Sequence, residues 1–305
     1  MAADGREYVL KISAPSTEQA TVDLATSALL HIAHADPSLT VPRVVMDKAG
    51  QANPVFAFAD GTFRVVSMLT YLPGQPMQTV ETGQLQRVEL GRLAAHIRRA
   101  LRNFRHAAGD RDLRWDVKRA SGCVPLLSFV KDTGQRRLAE LALANFEQHA
   151  RPRFAELHQQ IIHGDLNPHN VLVSPENHLR LAGVIDFGDT VHTFSINELA
   201  VAASYQAQGK GDLLVDPLSQ VGDLVRGYNA VQPIEMVELD VLFDLVVARL
   251  AMILIISEWR ATLHPENRDY VTRNSFVAWR GLESLARVTR EEAQAYFRCL
   301  CDMEQ

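Results

Sequence analysis

The sequence predicts an α+β protein of two lobes, a small, mainly β lobe over residues 1–74 and a larger helical lobe over residues 75–305. Three observations predict it. Strand-like runs at residues 8–12, 41–46 and 62–71 crowd the first quarter of the chain. Helical spacing of apolar residues dominates everything after residue 83. One strand–turn–strand insert, residues 161–189, interrupts those helices.

Each element has its own justification. Tyr8-Val9-Leu10-Lys11-Ile12 alternates as a half-buried strand does. After Pro15-Ser16, apolar positions Val22, Ala25, Leu29 and Ile32 define a helix over residues 17–34. Strands at 41–46 and 62–71 precede Leu72-Pro73-Gly74-Gln75-Pro76, whose turn residues break the pattern. Leu85, Val88, Leu90, Leu93, Ala94 and Ile97 stand at helical spacing within residues 83–105. A further amphipathic helix is predicted over 135–154. The insert comprises a short apolar run at Ile161-Ile162, a run at Val171-Leu172-Val173, a turn at 175–178 and a strand over 179–185. Helices over 195–206, 212–228, 234–263, 267–286 and 290–301 complete the chain.

Bulk properties exclude several classes. With 305 residues and 47% hydrophobic content, the chain has ample material for a core. A formal net charge of −5 argues against nucleic acid as a partner, which calls for a concentrated basic face. The arginines at 98, 99, 102 and 105 read as a solvated helix face. Three cysteines, at 123, 299 and 301, suit neither a disulfide framework nor a zinc site and point to a reducing compartment. The polar opening Met1-Ala2-Ala3-Asp4-Gly5-Arg6 predicts no secretory leader. The most apolar stretch, 241–257, is interrupted by Asp244 and Arg249 and is short for a membrane span, so a cytoplasmic protein without a membrane partner is expected.

The chemistry concentrates in the insert. His163-Gly164-Asp165 follows one strand, Asn170 opens the next, and Asp186-Phe187-Gly188-Asp189 ends the last, so tight turns deliver carboxylates and a carboxamide at strand ends. Phosphoryl transfer requires a hydroxyl oriented for in-line attack and metal ions bridging nucleotide phosphates. Mg²⁺ takes a few hard oxygens and keeps several waters. Asp165 is therefore the candidate base, with Asn170 and Asp186 as metal ligands. The five-residue step from Asp165 to Asn170 is that of a kinase catalytic loop, with HGD in place of HRD.

HGDLNPHNVLV together with VIDFGD resembles the aminoglycoside phosphotransferase and choline kinase superfamily. Within it the chain looks most like the hydroxylysine kinase family, through YVLKIS (8–13), YLPGQPM (71–77), RWDVKRA (114–120), FSINELAVAASYQ (194–206) and HPENRDYV (264–271). The resemblance implies a protein-kinase-like fold and transfer of a γ-phosphoryl group to a small hydroxylated amino acid or amine. It points to 5-hydroxy-L-lysine as acceptor and to GTP rather than ATP as donor, with Mg²⁺. Homoserine, choline or aminoglycoside kinases are alternatives, as is a non-catalytic kinase-like module.

The same resemblance assigns further residues. Lys11 would meet the α- and β-phosphates, and a carboxylate of the following helix, Asp23 in preference to Glu18, would pair with it. The nucleotide base would bind at the hinge from Met68 to Leu72, a segment that the residues alone equally allow as an ordinary loop. His163, the second catalytic candidate, would either move protons or orient the loop by hydrogen bonding. Asp189 would either help a second metal or brace the loop. Glu198 either meets a cationic amine or caps a helix. Arg249, Glu258 and Arg260 either pair among helices or grip a zwitterionic acceptor. Trp115-Asp116 and residues 125–129 either line the acceptor pocket or pack. The superfamily begins with two strands whose turn covers the phosphates, and the sequence starts after them, so an incomplete β lobe and an upstream partner or fused domain are expected. No Ala-Pro-Glu segment follows Asp186, which argues against protein kinase activity.

Overall fold

The computed structural model describes residues 5–207 and 216–302. It is an α+β chain that divides into two compact units, each assembled from separate stretches of sequence. The first gathers residues 1–81, 97–111 and 160–192, and the second gathers 82–96, 112–159 and 193–305.

The first unit holds the sheets. β1 (Tyr8–Ile12), β2 (Val44–Val45) and β3 (Val55–Ala57) all pair antiparallel with β4 (Phe63–Thr70), in the order β1-β4-β2 with β3 beside them. Register places Leu10 opposite Met68 and Lys11 opposite Ser67. Strand alternation in β4 buries Val65, Ser67 and Leu69 on one face. Against that face lies α1 (Gln19–Ala35), with Leu24, Ala28, Leu29 and Ile32 buried at helical spacing. A second small sheet runs β5 (Gln75–Pro76), β7 (Val171–Val173), β8 (Leu181–Val184), and β6 (Gln159–Ile162) pairs with β9 (Val191–Phe194). The hairpin turn between β7 and β8 closes with Ser174 N–H donating to Arg180 O at 2.9 Å.

Helices dominate the second unit: α2 (Gln84–Ala100) as far as residue 96, α3 (Thr133–Asn145), α4 (Asn197–Ser204), α5 (Pro217–Asn229), α6 (Met236–Leu263), α7 (Arg268–Val271), α8 (Ser275–Leu285) and α9 (Arg290–Asp302). α6 is apolar nearly all round, the mark of a helix buried on every side, and it packs against α3, α4, α8 and α9. Its start is fixed by a reciprocal cap between Glu235 and Glu238. α5 begins on Asp216, whose carboxylate accepts from Leu218 N, followed by Pro217, whose missing N–H costs nothing in a first turn. α2 and α5 meet backbone to backbone. A Cβ on Gly91 would lie 2.1 Å from Leu224 O, and one on Gly227 would lie 1.9 Å from Val88 O.

Several elements differ from their predicted form. The helix expected over 135–154 is α-helical only to Asn145, widens to a π-turn at Phe146–Ala150 and tightens to a 3-10 turn at Arg151–Glu156. Pro152, which has no N–H to donate, sits in that last turn. The helix expected over 267–286 divides into α7 and α8, where Thr272 bonds its hydroxyl back to Arg268 O at 2.9 Å. The turn at residues 72–76 contains β5, and β3 and β9 are each only a few residues long, too short for alternation to mark them in the sequence. The expected helix start at Asp212 lies outside the described residues.

Candidate active site

The loop after β6 is built by side-chain to backbone bonds. His163 is fully buried. Asp165 N–H donates to its Nδ1 at 3.2 Å, so Nδ1 is the acceptor nitrogen and Nε2 carries the proton it shares with Ile185 O at 3.1 Å. Burial pushes its pKa below the ordinary value, against the Ile185 bond and the nearby carboxylates, which raise it. The ring also stands edge-on to Phe187 at 4.6 Å. His163 thus ties the His163-Gly164-Asp165 turn to the strand end before Asp186. Gly164 has φ +79°, and a Cβ there would approach Asp189 O to 2.9 Å, so only glycine lets the two turns come this close.

Asp165 is held by two amides. Asn167 Nδ2 and Asn170 Nδ2 both donate to its Oδ2, at 2.8 and 2.7 Å, and Asn170 Nδ2 also reaches Asp165 O at 3.0 Å. Two charge-assisted bonds on one oxygen fix the plane of the carboxylate. Ile185 N–H donates to Asn170 O at 2.9 Å, which brings Asn170 alongside the residue before Asp186.

Asp186 alone among the described non-glycine residues has positive φ (64°). A left-handed aspartate is strained by about 1–3 kcal/mol, the kind of cost that collects at functional turns. Lys11 Nζ donates to its Oδ1 at 2.9 Å. Burial raises the Asp186 pKa, but the Lys11 charge and hydrogen bond, with His163 and Gly188 N–H, outweigh it and leave the carboxyl below its usual range. Both side chains are about half exposed (47% and 53%), and pairs of this kind contribute only about 0–1 kcal/mol. Lys11 can therefore change partners cheaply. The expected pairing with Asp23 is not the one formed. Asp23 Oδ1 accepts from Asn53 Nδ2 at 2.7 Å, and that amide also reaches Thr26 Oγ1 at 2.6 Å. Aspartate, one methylene shorter than glutamate, is satisfied within α1's own surroundings.

Arg111, which sequence reasoning missed, braces the other end of the turn. Its Nη2 donates to Gly188 O at 2.6 Å and lies 4.0 Å from Asp189 Oδ1. Burial lowers its pKa and the Asp189 charge opposes that. Nothing local announces Arg111, since its partner is 77 residues away. Asn167, also missed, stands two residues from Asp165 inside the motif itself.

A cavity of about 350 Å³ opens beside Lys11 and Asp186, walled by Val9, Tyr71, Leu72, Leu172 and Ile185. Leu72 lines it. Met68 does not, because Leu69 turns inward and strand alternation sends its neighbour to the other face. Among the described residues, the backbone N–H and C=O of Leu72 take no hydrogen bond. Apolar walls with a few unsatisfied polar groups are what a purine base requires.

The oxygens present suit a hard divalent cation. Because Asn170 Nδ2 is engaged by Asp165, its Oδ1 is the remaining acceptor, and among the described residues nothing donates to it. Asp186 supplies a carboxylate on the next strand end.

In the second unit, Glu198 and Arg249 are buried. Arg249 donates to Trp115 O and stacks 5.2 Å from the Trp115 ring centroid. Glu258 accepts from Arg268 at 3.1 Å. Asp116 caps the turn after it, accepting from Lys118 N at 3.1 Å and Thr193 Oγ1 at 2.8 Å. Burial raises its pKa against those bonds. Asn197 Nδ2 reaches the same carboxylate at 3.4 Å, leaving its Oδ1 buried without a hydrogen bond.

A turn-held carboxylate, an amide and a second carboxylate on adjacent strand ends, and a lysine beside an apolar cavity define a phosphotransferase. Residues 2–234 match the phosphotransferase enzyme family, and the chain belongs to it. It is a small-molecule kinase acting on an alcohol group. Hydroxylysine kinase of Mus musculus is 28% identical over 295 residues, covering 92% of this chain and 77% of that protein. Among solved structures, a microcompartment-associated aminopropanol kinase superposes with a TM-score of 0.65 at 18% identity, over 97% of this chain and 84% of that one. Amicoumacin kinase hAmiN in complex with AMP-PNP, Ca²⁺ and Ami gives 0.62 at 13% identity, over 90% and 83%. No helix among the described residues is long and apolar enough to cross a membrane.

Proposed function

We propose that this protein transfers the γ-phosphoryl group of a nucleoside triphosphate, GTP in preference to ATP, to the hydroxyl of 5-hydroxy-L-lysine, with Mg²⁺. The observation that carries the chemistry is the Asp165 carboxylate, oriented by two amides in the same unit as the Lys11–Asp186 pair and the Leu72 cavity. The acceptor rests on similarity to proteins named hydroxylysine kinase. The donor rests on the family resemblance.

In this reading Asp165 accepts the proton of the attacking hydroxyl, a contribution of about 10²–10⁴-fold for positioned proton acceptors. Lys11 exchanges Asp186 for the α- and β-phosphates. Leu72 N–H and C=O bind the base. Asn170 and Asp186, with Asp189 helping or bracing, hold Mg²⁺, which when bound neutralises charge on the phosphates. Glu198, Arg249 and Glu258 face the acceptor or serve packing, as the alternatives above leave open. Residues 1–74 contribute Lys11 and Leu72 to the nucleotide site, and residues 75–305 supply the catalytic loop and the acceptor pocket. The compartment is cytoplasmic.

A nucleoside-diphosphate release assay with Mg²⁺ tests this, comparing GTP and ATP across 5-hydroxylysine, homoserine, choline, 1-amino-2-propanol and kanamycin, with Asp165→Asn as control. Turnover that needs 5-hydroxylysine and disappears in the variant is expected. Turnover preferring another acceptor replaces hydroxylysine and keeps the chemistry. Silence with every acceptor removes the catalytic reading.

A further inference from the structure

A second cavity, of about 420 Å³, adjoins the one beside Leu72 along the same face of β1 and β4, with Lys11 and Leu69 common to both. α1 contributes Thr21, Ala25 and Leu29, four residues apart and hence on one helical face. β4 contributes Val65, Ser67 and Leu69, two apart and hence on one strand face. The Phe187-Gly188 turn closes one end. The lining is apolar with scattered hydroxyls, and Lys11 is its single charged side chain. α1 supplies no carboxylate to that ammonium, because Asp23 is engaged by Asn53 at 2.7 Å and lies outside the lining. What holds Lys11 is a half-exposed pair with Asp186, weak enough to be exchanged.

We infer that this cavity is a second ligand site, for a small apolar molecule bearing one anionic group, which takes the ammonium of Lys11 in place of Asp186. The volume falls within the range of small-molecule sites, roughly 300–1,000 Å³. An apolar body satisfies the walls, and one negative charge complements the one positive group facing it. Binding stands on this geometry alone. Only its consequence rests on the kinase reading: an occupant keeps Lys11 from the nucleotide phosphates and slows transfer without entering the base cavity.

The probes are 8-anilinonaphthalene-1-sulfonate and N-phenyl-1-naphthylamine, the same rings with and without the anion, followed by fluorescence in the full chain. Saturable binding of one equivalent of the sulfonate is expected. Ala25→Phe and Thr21→Phe, which fill the space from α1, should each abolish it. Lys11→Met should weaken the sulfonate about tenfold, the loss of one charge-assisted contact, and leave the uncharged dye unchanged. Guanosine and adenosine, which lack phosphates, should not displace either dye. The site is refuted by sulfonate affinity that survives in whichever of the two filled variants keeps the wild-type circular dichroism. Displacement by nucleosides, or equal weakening of both dyes by Lys11→Met, refutes it as well. The two readings fail separately. A protein that binds the sulfonate in this manner yet phosphorylates nothing keeps the site and loses the kinase, and an active kinase indifferent to the dye does the reverse.

Discussion

Removing the amide of Asn167 tests whether the orientation of Asp165 matters to transfer. Asn167 is 6% exposed, and its Nδ2 donates to Asp165 Oδ2 at 2.8 Å while its Oδ1 accepts from His169 N–H at 2.8 Å. Asn170 makes another bond to the same oxygen, so Asn167→Ala removes one of these two amide bonds and keeps the other. A hydrogen bond to a charged group contributes about 1.5–3 kcal/mol. If that contribution acts in orienting the base, kcat falls about 10- to 100-fold. The KM for nucleotide should move little, since neither Asn167 nor Asp165 lines the cavity beside Leu72. Steady-state kinetics with Mg²⁺ on the folded variant, its integrity checked by thermal melting, measures both. A kcat within about twofold of wild type, well short of the loss expected from one such bond, refutes the argument that this bond positions the base.

Three further outcomes follow from the same geometry. Burial holds the folded His163 pKa below the ordinary histidine value of 6.5, so the unfolded chain binds more protons at mildly acidic pH. Its contribution to stability is complete above pH 6.5 and is lost as pH falls through the folded value. Urea unfolding at pH 7.5 and pH 5.5 should show that loss in wild type and a flatter dependence in His163→Gln. Arg111→Met should raise the Mg²⁺ concentration needed for half-maximal activity by loosening the Gly188–Asp189 end of the turn, and Arg111→Lys should restore part of it; equal Mg²⁺ titrations for all three proteins would remove Arg111 from the site. Arg87→Met takes from the Asp223 carboxylate the guanidinium that pairs with it at 2.9 Å, leaving the Gln84 amide at 3.2 Å, and should cost about 3 kcal/mol in denaturant unfolding, with kcat per folded molecule preserved.

What the sequence discloses depends on how far apart the partners lie. The bonds around Asp165 join residues two and five positions away, so the motif carries its own geometry. The α+β class was equally accessible, because β4 and α6 announce themselves by alternation and by an apolar run. The partner of Lys11 was not. Asp23 lies twelve residues on and Asp186 lies 175 residues on, and only the folded sheet decides between them. Arg111 fails for the same reason. The break after Asn145 turns on Pro152 and on a π-turn, a feature that apolar spacing does not register.

The interleaving of the two units bears on how the chain is born. The first unit needs residues 160–192, and when they emerge only 82–96 and 112–159 of the second are available. Gly91 must wait for Leu224, and Val88 for Gly227, before α2 and α5 can meet. At about 5–20 residues per second, that delay is on the order of ten seconds. During it the inner face of α2 has no α5 to cover it, a interval in which holding chaperones would matter. The dependence on distant pairing also predicts slow refolding in vitro. An expressed fragment ending near residue 192 would contain every stretch of the first unit together with half-built helices of the second, so for this protein a tidy excision of either unit from the continuous chain is not available.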